Sequence, residues 1–519
     1  MSLDVSLRTA ISGLAVTQKG LDVVSRNVAN VQTPGYTRKI HQQAPLDPQV
    51  GGARALDPIR IVNEALQRDY IKQNGVVGYL ETRESILKRI EVAHGNPEDH
   101  NSLASLYGKL QEGFASLAGT PESGPYRQRV VDEARRLAEG MNGLAEVYNK
   151  ERDRTQEEIA ASVRRMNTLT AQIADLNRQI SMAVVQGRGV PDLEDQRDEL
   201  VRNLSEQMDI NTVKRADGVV VVLTSNGRTL VERSAQPLTF QMTKTDERSY
   251  YDRDGRSGIN PILLNGEDVT PELQGGKLGA LIELRDKTIP QFQAQLDEFA
   301  YRLATAFESA WGTNDNGTPA DYTDDIHSGL KLFVDSDPAQ PRDVPVKYPA
   351  GVAPPLSNPA ERQRIGFASR IMINPTVSAD PNLVQRGTNM SPAITSPADT
   401  RLIDAVRRNV LERADTPFDT AGLGPFGKIS TGLPPAGSFA DYATEVVAYQ
   451  AVTRSDTTVG IQGEVRYREA LSTRLQDETG VNLDQEITLL IQLQQTYGAN
   501  ARVVTTNQQM FDDLLRAFG

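Results

Sequence analysis

The chain carries only four histidines, His41, His94, His100 and His327, and they are the first place to look for chemistry. His94 and His100 stand with Glu98 and Asp99 in a Gly/Asn/Pro loop, a mixed nitrogen and oxygen set of the kind that holds a divalent cation. Their spacing matches no common zinc motif, so a solvated loop fits better. Asn314 to Gly317 with Asp321, Asp324 and Asp325 has the carboxylates of a calcium site without the ligand order of an EF-hand, and reads as a solvated turn. Gly422-Leu423-Gly424-Pro425-Phe426-Gly427 satisfies G-x-G-x-x-G on paper. No strand precedes it, Pro425 interrupts it, and Pro434-Pro435 follows where a helix should start, so it is a loop and not a dinucleotide cradle. The chain has no Cys, which removes thiol chemistry, disulfides and cysteine-held metals. The expectation is a protein with no catalytic residue, no cofactor and no metal: not an enzyme.

Bulk properties narrow the partners. The 56 basic and 68 acidic residues leave a net charge of −12 with no Lys/Arg cluster, which disfavours nucleic acid. No run of eighteen apolar residues offers a membrane span, so no membrane insertion is expected. Met1 to Gln18 lacks the basic start and apolar core of a cleaved signal peptide. Taken alone, these features describe a cytoplasmic protein.

Periodicity says more than composition. Leu483, Ile487, Leu490, Gln494, Tyr497, Ala501, Val504, Gln508, Phe511, Leu515 and Phe518 alternate in steps of four and three, the a/d stripe of a coiled-coil helix. A patchier second stripe, Leu489, Leu493, Val503, Met510 and Leu514, runs beside it, and two apolar seams call for more than one neighbour. The other chain end repeats the spacing with Leu7, Ile11, Leu14, Gln18, Leu21, Ser25 and Val28. It then meets the turn Thr33-Pro34-Gly35-Tyr36, where Pro34 presets φ and Gly35 supplies φ > 0. Two readings follow: a helical hairpin closing an ordinary domain, or a rod with everything else inserted. Polar seam residues Gln18, Ser25, Gln494 and Gln508, of a kind that sets register and oligomer state, favour the rod.

Between the ends, helical patterning spans Asn63–Lys72, Tyr79–Val92 and Leu103–Leu117. The longest stretch opens at Pro125 and carries Val130, Leu137, Leu144, Ile159, Met166, Ile173 and Ile180. Unbroken, it would be about 90 Å long, weakened only locally by Gly140 and Gly143. Another helix follows Pro191. The period then becomes extended at Val213, Val219–Leu223, Thr229–Val231 and Leu238–Phe240, with Asp217-Gly218 and Asn226-Gly227 as type I′ hairpin signals. Phe292, Leu296, Phe299, Leu303 and Phe307 form a helical stripe expected to pack back onto the long helix. Fifteen of the 28 prolines fall from Pro338 to Pro435, which reads as a loop-heavy β region. Helix resumes at Phe439 with Tyr442, Val446, Tyr449 and Val452. The expected fold is α+β and multidomain, an elongated helical coiled-coil bundle built from both chain ends with inserted β-rich domains. Its parts are terminal helices (1–42 and 483–519), a helical rod domain (59–209, 271–312 and 439–482), a small β domain (210–270) and an outer Pro-rich domain (313–438).

Ser12-Gly13-Leu14 through Asn27-Val28-Ala29-Asn30, followed by Thr33-Pro34-Gly35-Tyr36-Thr37-Arg38, resembles the N-terminal signature of the flagellar axial proteins: rod, hook and hook-associated proteins. Gly480-Val481-Asn482-Leu483-Asp484-Gln485-Glu486, continuing through Gln492-Leu493-Gln494-Gln495 to Phe511-Asp512-Asp513-Leu514-Leu515, resembles the hook-associated subset. The signature residues are Asn27, Asn30, Thr33, Pro34, Gly35 and Tyr36. The resemblance implies a structural part at the junction of hook and filament, exported to the extracellular flagellum by its own type III apparatus without a cleaved signal. It implies as partners further copies in a ring, the hook protein, a second junction protein, and an export chaperone on the C-terminal helix. Folding coupled to polymerisation is expected, with Leu7, Ile11, Leu14, Leu21 and Val28 meeting Leu490, Tyr497, Val504, Phe511 and Leu515. Leu483, Ile487 and Gln494 complete the expected interface. Hook and rod proteins share the Thr-Pro-Gly-Tyr turn but have little long helix in the middle. Flagellin lacks the turn. A flagellar peptidoglycan hydrolase would need a compact domain with a buried carboxylate, and nothing between Ile210 and Phe439 singles one out.

Overall fold

A computed structural model of the chain describes residues 3–46, 51–94, 102–246, 249–251, 258–314, 326–336, 364–388, 394–424 and 427–518. His100, Glu98, Asp99, Asp321, Asp324, Asp325 and most of the Pro-rich run lie outside them. The fold is α+β and dominated by long helices. These are α1 (Leu3–Ala29), α2 (Glu64–His94), α3 (Leu103–Gly119), α4 (Gly124–Val185), α5 (Pro191–Gln207), α6 (Gly276–Glu283), α7 (Ile289–Glu308), α8 (Phe439–Thr479) and α9 (Leu483–Phe518). A ribbon of β1 (Lys39–Pro45) and β2 (Ala53–Arg60) follows α1. Helix α4 runs unbroken for 62 residues. Its Tyr148 packs on Phe292 of α7 at 6.3 Å, and Gln293 donates to Asn149 at 2.7 Å, so α7 does fold back onto it.

Helix α2 corrects the expectation of two short helices. Gly75 and Gly78 lie between the two, and the helix continues through them. A Cβ on Gly78 would stand 2.6 Å from the Glu206 carbonyl, and one on Gly75 would stand 3.2 Å from that of Ser205. The glycines let α2 lie against the end of α5.

After α5 come β3 (Ile210–Lys214), β4 (Val220–Thr224) and β5 (Thr229–Val231), one antiparallel sheet in the order β3-β4-β5. Its turns are not type I′, which needs φ > 0 at both central residues. Here Gly218 (φ 80°) and Gly227 (φ 84°) are left-handed while Asp217 and Asn226 are not. Each glycine follows a turn closed by its own N–H, to Arg215 O at 3.1 Å and to Thr224 O at 2.9 Å. The two-residue turn with both angles positive is Asn265-Gly266 (φ 53° and 82°), joining Leu263–Leu264 to Glu267–Asp268. Helix α4 holds these strands with side-chain amides: Asn177 exchanges both hydrogen bonds with Val220, and Asn167 does the same with Leu238.

One hydrophobic core runs from α2 through α7 to the first turns of α8. It includes Phe333, Phe367, Ile371, Leu402 and Val406 from the described part of 313–438. Tyr107, Phe299, Phe418, Phe439 and Tyr442 form its aromatic centre, with Phe418 stacked on Tyr442 at 4.1 Å. Gly422, Gly424 and Gly427 all have positive φ, in a loop. Helix α8 opens with a Ser438–Asp441 capping box and buries Phe439, Tyr442, Ala443, Val446 and Gln450. Val452, expected on that stripe, is 57% exposed. Beyond it α8 pairs with α2 through polar contacts such as Gln73 to Glu464 (2.6 Å), Arg454 to Glu91 (2.6 Å) and Asn63 to Glu478 (2.6 Å). No residue of α1 or α9 belongs to the main core.

Candidate assembly interface

Helices α1 and α9 pair antiparallel, and the contact repeats every seven residues. Ser6 donates to Asn507 at 3.1 Å and Asn27 donates to Glu486 at 3.0 Å. Between those rungs a Cβ on Gly13 would lie 2.9 Å from the Asn500 amide, and one on Gly20 would lie 3.2 Å from Leu493. The α1 seam is therefore Ser6, Ala10, Gly13, Thr17, Gly20, Val24 and Asn27, a four-three stripe of small and polar residues. Small side chains bring the two backbones close, and each polar rung fixes the register, because a slipped pair would leave Asn or Glu facing nothing.

Within one chain, the seam is not the stripe of large apolar residues. Leu7, Ile11, Leu14, Leu21 and Val28 stand one residue past the seam, about 100° round the helix. On α9, Ile487 and Gln494 stand one past Glu486 and Leu493, while Leu490, Tyr497 and Val504 keep the seam rhythm. One step forward on both strands of an antiparallel pair turns to the same side, so the displaced residues of both helices share one flank. Ile11 is 52% and Ile487 50% exposed there, with Leu483 and Ile491 also exposed. Tyr497, Phe511 and Leu515 are exposed too. The ribbon takes the other flank, one step before the seam: Ala53 N–H donates to Ser12 at 3.2 Å, and Gly51 lies over Thr9.

The signature builds the joint between this pair and the rest of the chain. The Thr33-Pro34-Gly35-Tyr36 turn closes with Tyr36 N–H to Thr33 O at 3.2 Å, Gly35 at φ 79°. Gly35 abuts Arg202 and Glu199, leaving no room for a side chain. Asn30 braces the turn, accepting from the Thr33 hydroxyl at 3.1 Å. Asn27 is fully buried. Its amide donates to Lys39 O (2.8 Å) and Glu486 (3.0 Å), and its Oδ1 accepts from the Tyr36 hydroxyl (3.0 Å) and Lys39 N–H (3.1 Å). Burial raises the Tyr36 pKa, partly opposed by the Lys39 ammonium 3.4 Å from its ring centre.

Residues outside the signature anchor it to α5. Asp195 accepts from Thr37 N–H (3.2 Å), Thr37 Oγ1 (2.6 Å), Lys39 Nζ (2.9 Å) and Arg60 (3.1 Å). Arg60 also meets Asp198 at 2.7 Å and Glu194 at 3.1 Å, and Arg38 meets Glu486 at 2.7 Å. Burial disfavours charge on Lys39, Arg60 and Asp198, but their partners outweigh it. Lys39 and Arg60 stay above their usual pKa values and Asp198 below the usual carboxylate range. Sequence reading did not single out Asp195, Lys39, Arg60 or Glu486. The available signal was acids at 192, 194, 195 and 198 on a single helix, with Arg38-Lys39 directly after the turn. Among the described residues, no group of three His, Asp or Glu could hold a metal, and no helix is long and apolar enough to cross a membrane.

Three family models divide the chain along these lines. The flagella basal body rod protein model matches 7–37, and the flagellar basal body rod FlgEFG protein C-terminal model matches 477–517. The model for the flagellar hook-associated protein FlgK helical domain matches 87–320. Flagellar hook-associated protein 1 of Bacillus subtilis is 23% identical over 99% of this chain and 98% of its own length. Those of Salmonella typhimurium and Escherichia coli are each 24% identical over 98% of this chain, and over 98% and 99% of their own lengths. Along nearly its whole length the chain is similar to flagellar hook-associated protein 1, and at its two ends to the flagellar basal body rod proteins. A solved structure of the flagellar hook junction protein FlgK from Burkholderia pseudomallei overlaps at TM-score 0.40 and 23% identity, over 47% of this chain and 43% of that one. The two rod-family matches fall on the paired terminal helices and the turn that anchors them, and the FlgK-type match spans the end of α2 through α7.

Proposed function

We propose that this protein is a structural subunit of the junction between hook and filament, exported by the flagellar type III apparatus without a cleaved signal, and that its terminal helices complete their folding as copies polymerise. The observation that carries this reading is the division of labour on α1 and α9. Small and polar residues are spent on the pair within one chain, and Ile11 of α1 with Ile487 and Ile491 of α9 are left exposed together on one flank. Neighbouring copies in a ring cover that flank. The hook protein lies on one side of the ring and a second junction protein on the other, and an export chaperone shields α9 before secretion. The protein is not an enzyme. Among the described residues between 210 and 439 the buried carboxylates Asp297, Glu298, Glu308 and Asp335 are each tied to backbone N–H groups, arginines or, for Glu308, Lys331, as structural ion pairs are.

Deleting the chain is expected to leave hooks without filaments and flagellin in the culture medium; normal filaments would remove the junction assignment. Removal of residues 509–519 is expected to have the same phenotype, and a truncated chain that still assembled on hooks would remove the role of α9. Ile11→Lys with Ile487→Lys tests the exposed flank. Because both residues are half exposed, folding stability of the single chain should change by less than about 1 kcal/mol while incorporation on hooks is lost. Equal loss of both would make the flank a folding surface instead.

A further inference from the structure

We propose that His41 is a proton-operated latch: neutral, it lets the β1–β2 ribbon grip the terminal helix pair, and protonation releases that grip. The ladder places it there. Ile40 pairs with Ile59 and Gln42 with Leu56, so Asp57 and Pro58 of β2 face the single residue His41 of β1. This is a bulge, a device that re-aims a side chain. The imidazole closes on Gly20 of α1 beside Leu493 of α9. A methyl group at Gly20 would stand 3.3 Å from His41 Cδ2 and 3.2 Å from Leu493 Cδ1. His41 therefore touches the rung where ribbon, α1 and α9 meet.

Its Nε2 is closed to solvent and has no hydrogen-bond partner. A neutral ring tolerates that position, but an imidazolium N–H there would lack an acceptor, which burial of that edge of the half-buried ring penalises. Around it α1 presents buried Val16, Gly20 and Val24, and α9 presents Leu493. The charged groups nearby are committed or turned outward. Asp57 accepts from Gly189 N–H at 2.6 Å. Glu486 is held by Asn27 and Arg38. Lys19 and Asp22, flanking Gly20 in sequence, are exposed. Burial accordingly holds the His41 pKa below its ordinary value, with no opposing charge. A base whose folded-state pKa is depressed binds its proton more readily unfolded, so stability falls as pH drops through about 6.5 and keeps falling to the folded value. Each unit of depression is worth about a factor of ten in the docking equilibrium.

The test rests on the junction reading, and uses isolated hook particles carrying the wild-type chain or His41→Leu, titrated from pH 7.5 to 4.5. Retained protein and backbone hydrogen exchange in α1 and α9, corrected for intrinsic rate, are followed together. Wild type is expected to lose protection about tenfold or more between pH 7 and 5, whereas His41→Leu holds until carboxylates titrate near pH 4. Identical midpoints, or wild-type protection unchanged down to pH 5, would overturn the latch. Should His41→Leu not incorporate, His41→Phe takes its place, and the wild-type exchange alone still decides against the latch if it does not rise with acid. Absence of the wild-type chain from hooks at pH 7.5 would overturn both readings, and its presence without a pH response only this one.

Discussion

Asn27→Asp is expected to uncouple the two chain ends from the rest of the protein. The substitution conserves volume and changes one group, the amide that donates to Lys39 O at 2.8 Å and to Glu486 at 3.0 Å. A carboxylate there faces that of Glu486 at about hydrogen-bond distance, and both residues are fully buried. Two carboxylates so placed cannot both ionise, so one is protonated or the helices part. The expected cost is about 3–5 kcal/mol, enough to empty the docked state of the α1–α9 pair. Asn27→Ala should also be costly, about 1–3 kcal/mol for each buried group it leaves unpaired, but for want of hydrogen bonds and not through facing carboxylates. The Asp defect should also ease in acid, as the pair takes up a proton, while the Ala defect should not. Proteolysis of α1 and α9 together with swimming in soft agar reads all three effects. A fully motile Asn27→Asp strain with wild-type protease resistance would show that the signature does not join the ends.

Asp195→Ala is the second large effect. The Lys39 and Arg60 side chains are only 3% and 7% exposed, and Asp195 is the one carboxylate that bonds both as well as Thr37. Its loss leaves two buried cations leaning on Asp192, Glu194 and Asp198, and strips Thr37 of both its hydrogen bonds to α5. Removing one member of a buried charge network costs about 3 kcal/mol or more, because the remaining charges stay buried. Asp192→Ala is the control. Its side chain is 54% exposed and meets Lys39 at 2.8 Å, so the change should stay below about 1 kcal/mol. Denaturant midpoints of the full chain decide between them. Equal shifts would mean that the network is not anchored at Asp195.

What the residues determined alone was the architecture and its polarity. Long helices follow from repeated four-three spacing, and the turn after α1 follows from Pro34 and Gly35. The absence of Cys and the scarcity of His pointed away from catalysis before any fold was known. The signature and the terminal pattern together pointed to an axial flagellar protein. What only tertiary structure decided was which faces meet. Hydropathy marks Leu7, Ile11, Leu14 and Leu21 as the strong stripe of α1, but burial goes to Ala10, Gly20 and Asn27 one step away, with Thr17 and Val24 on the same seam. Small and polar residues make the closer antiparallel contact, and their worth appears only when Asn507, Asn500, Leu493 and Glu486 arrive opposite them from the far end of the chain. The same holds for Gly75 and Gly78, between two stretches of helical patterning, whose use shows only when α5 lies across them. Asp195, unremarkable on an acidic helix, became an anchor only when Lys39 and Arg60 were folded onto it. Local periodicity is written in neighbouring residues. A partner several hundred residues away is not, so only the folded chain assigns each face its neighbour.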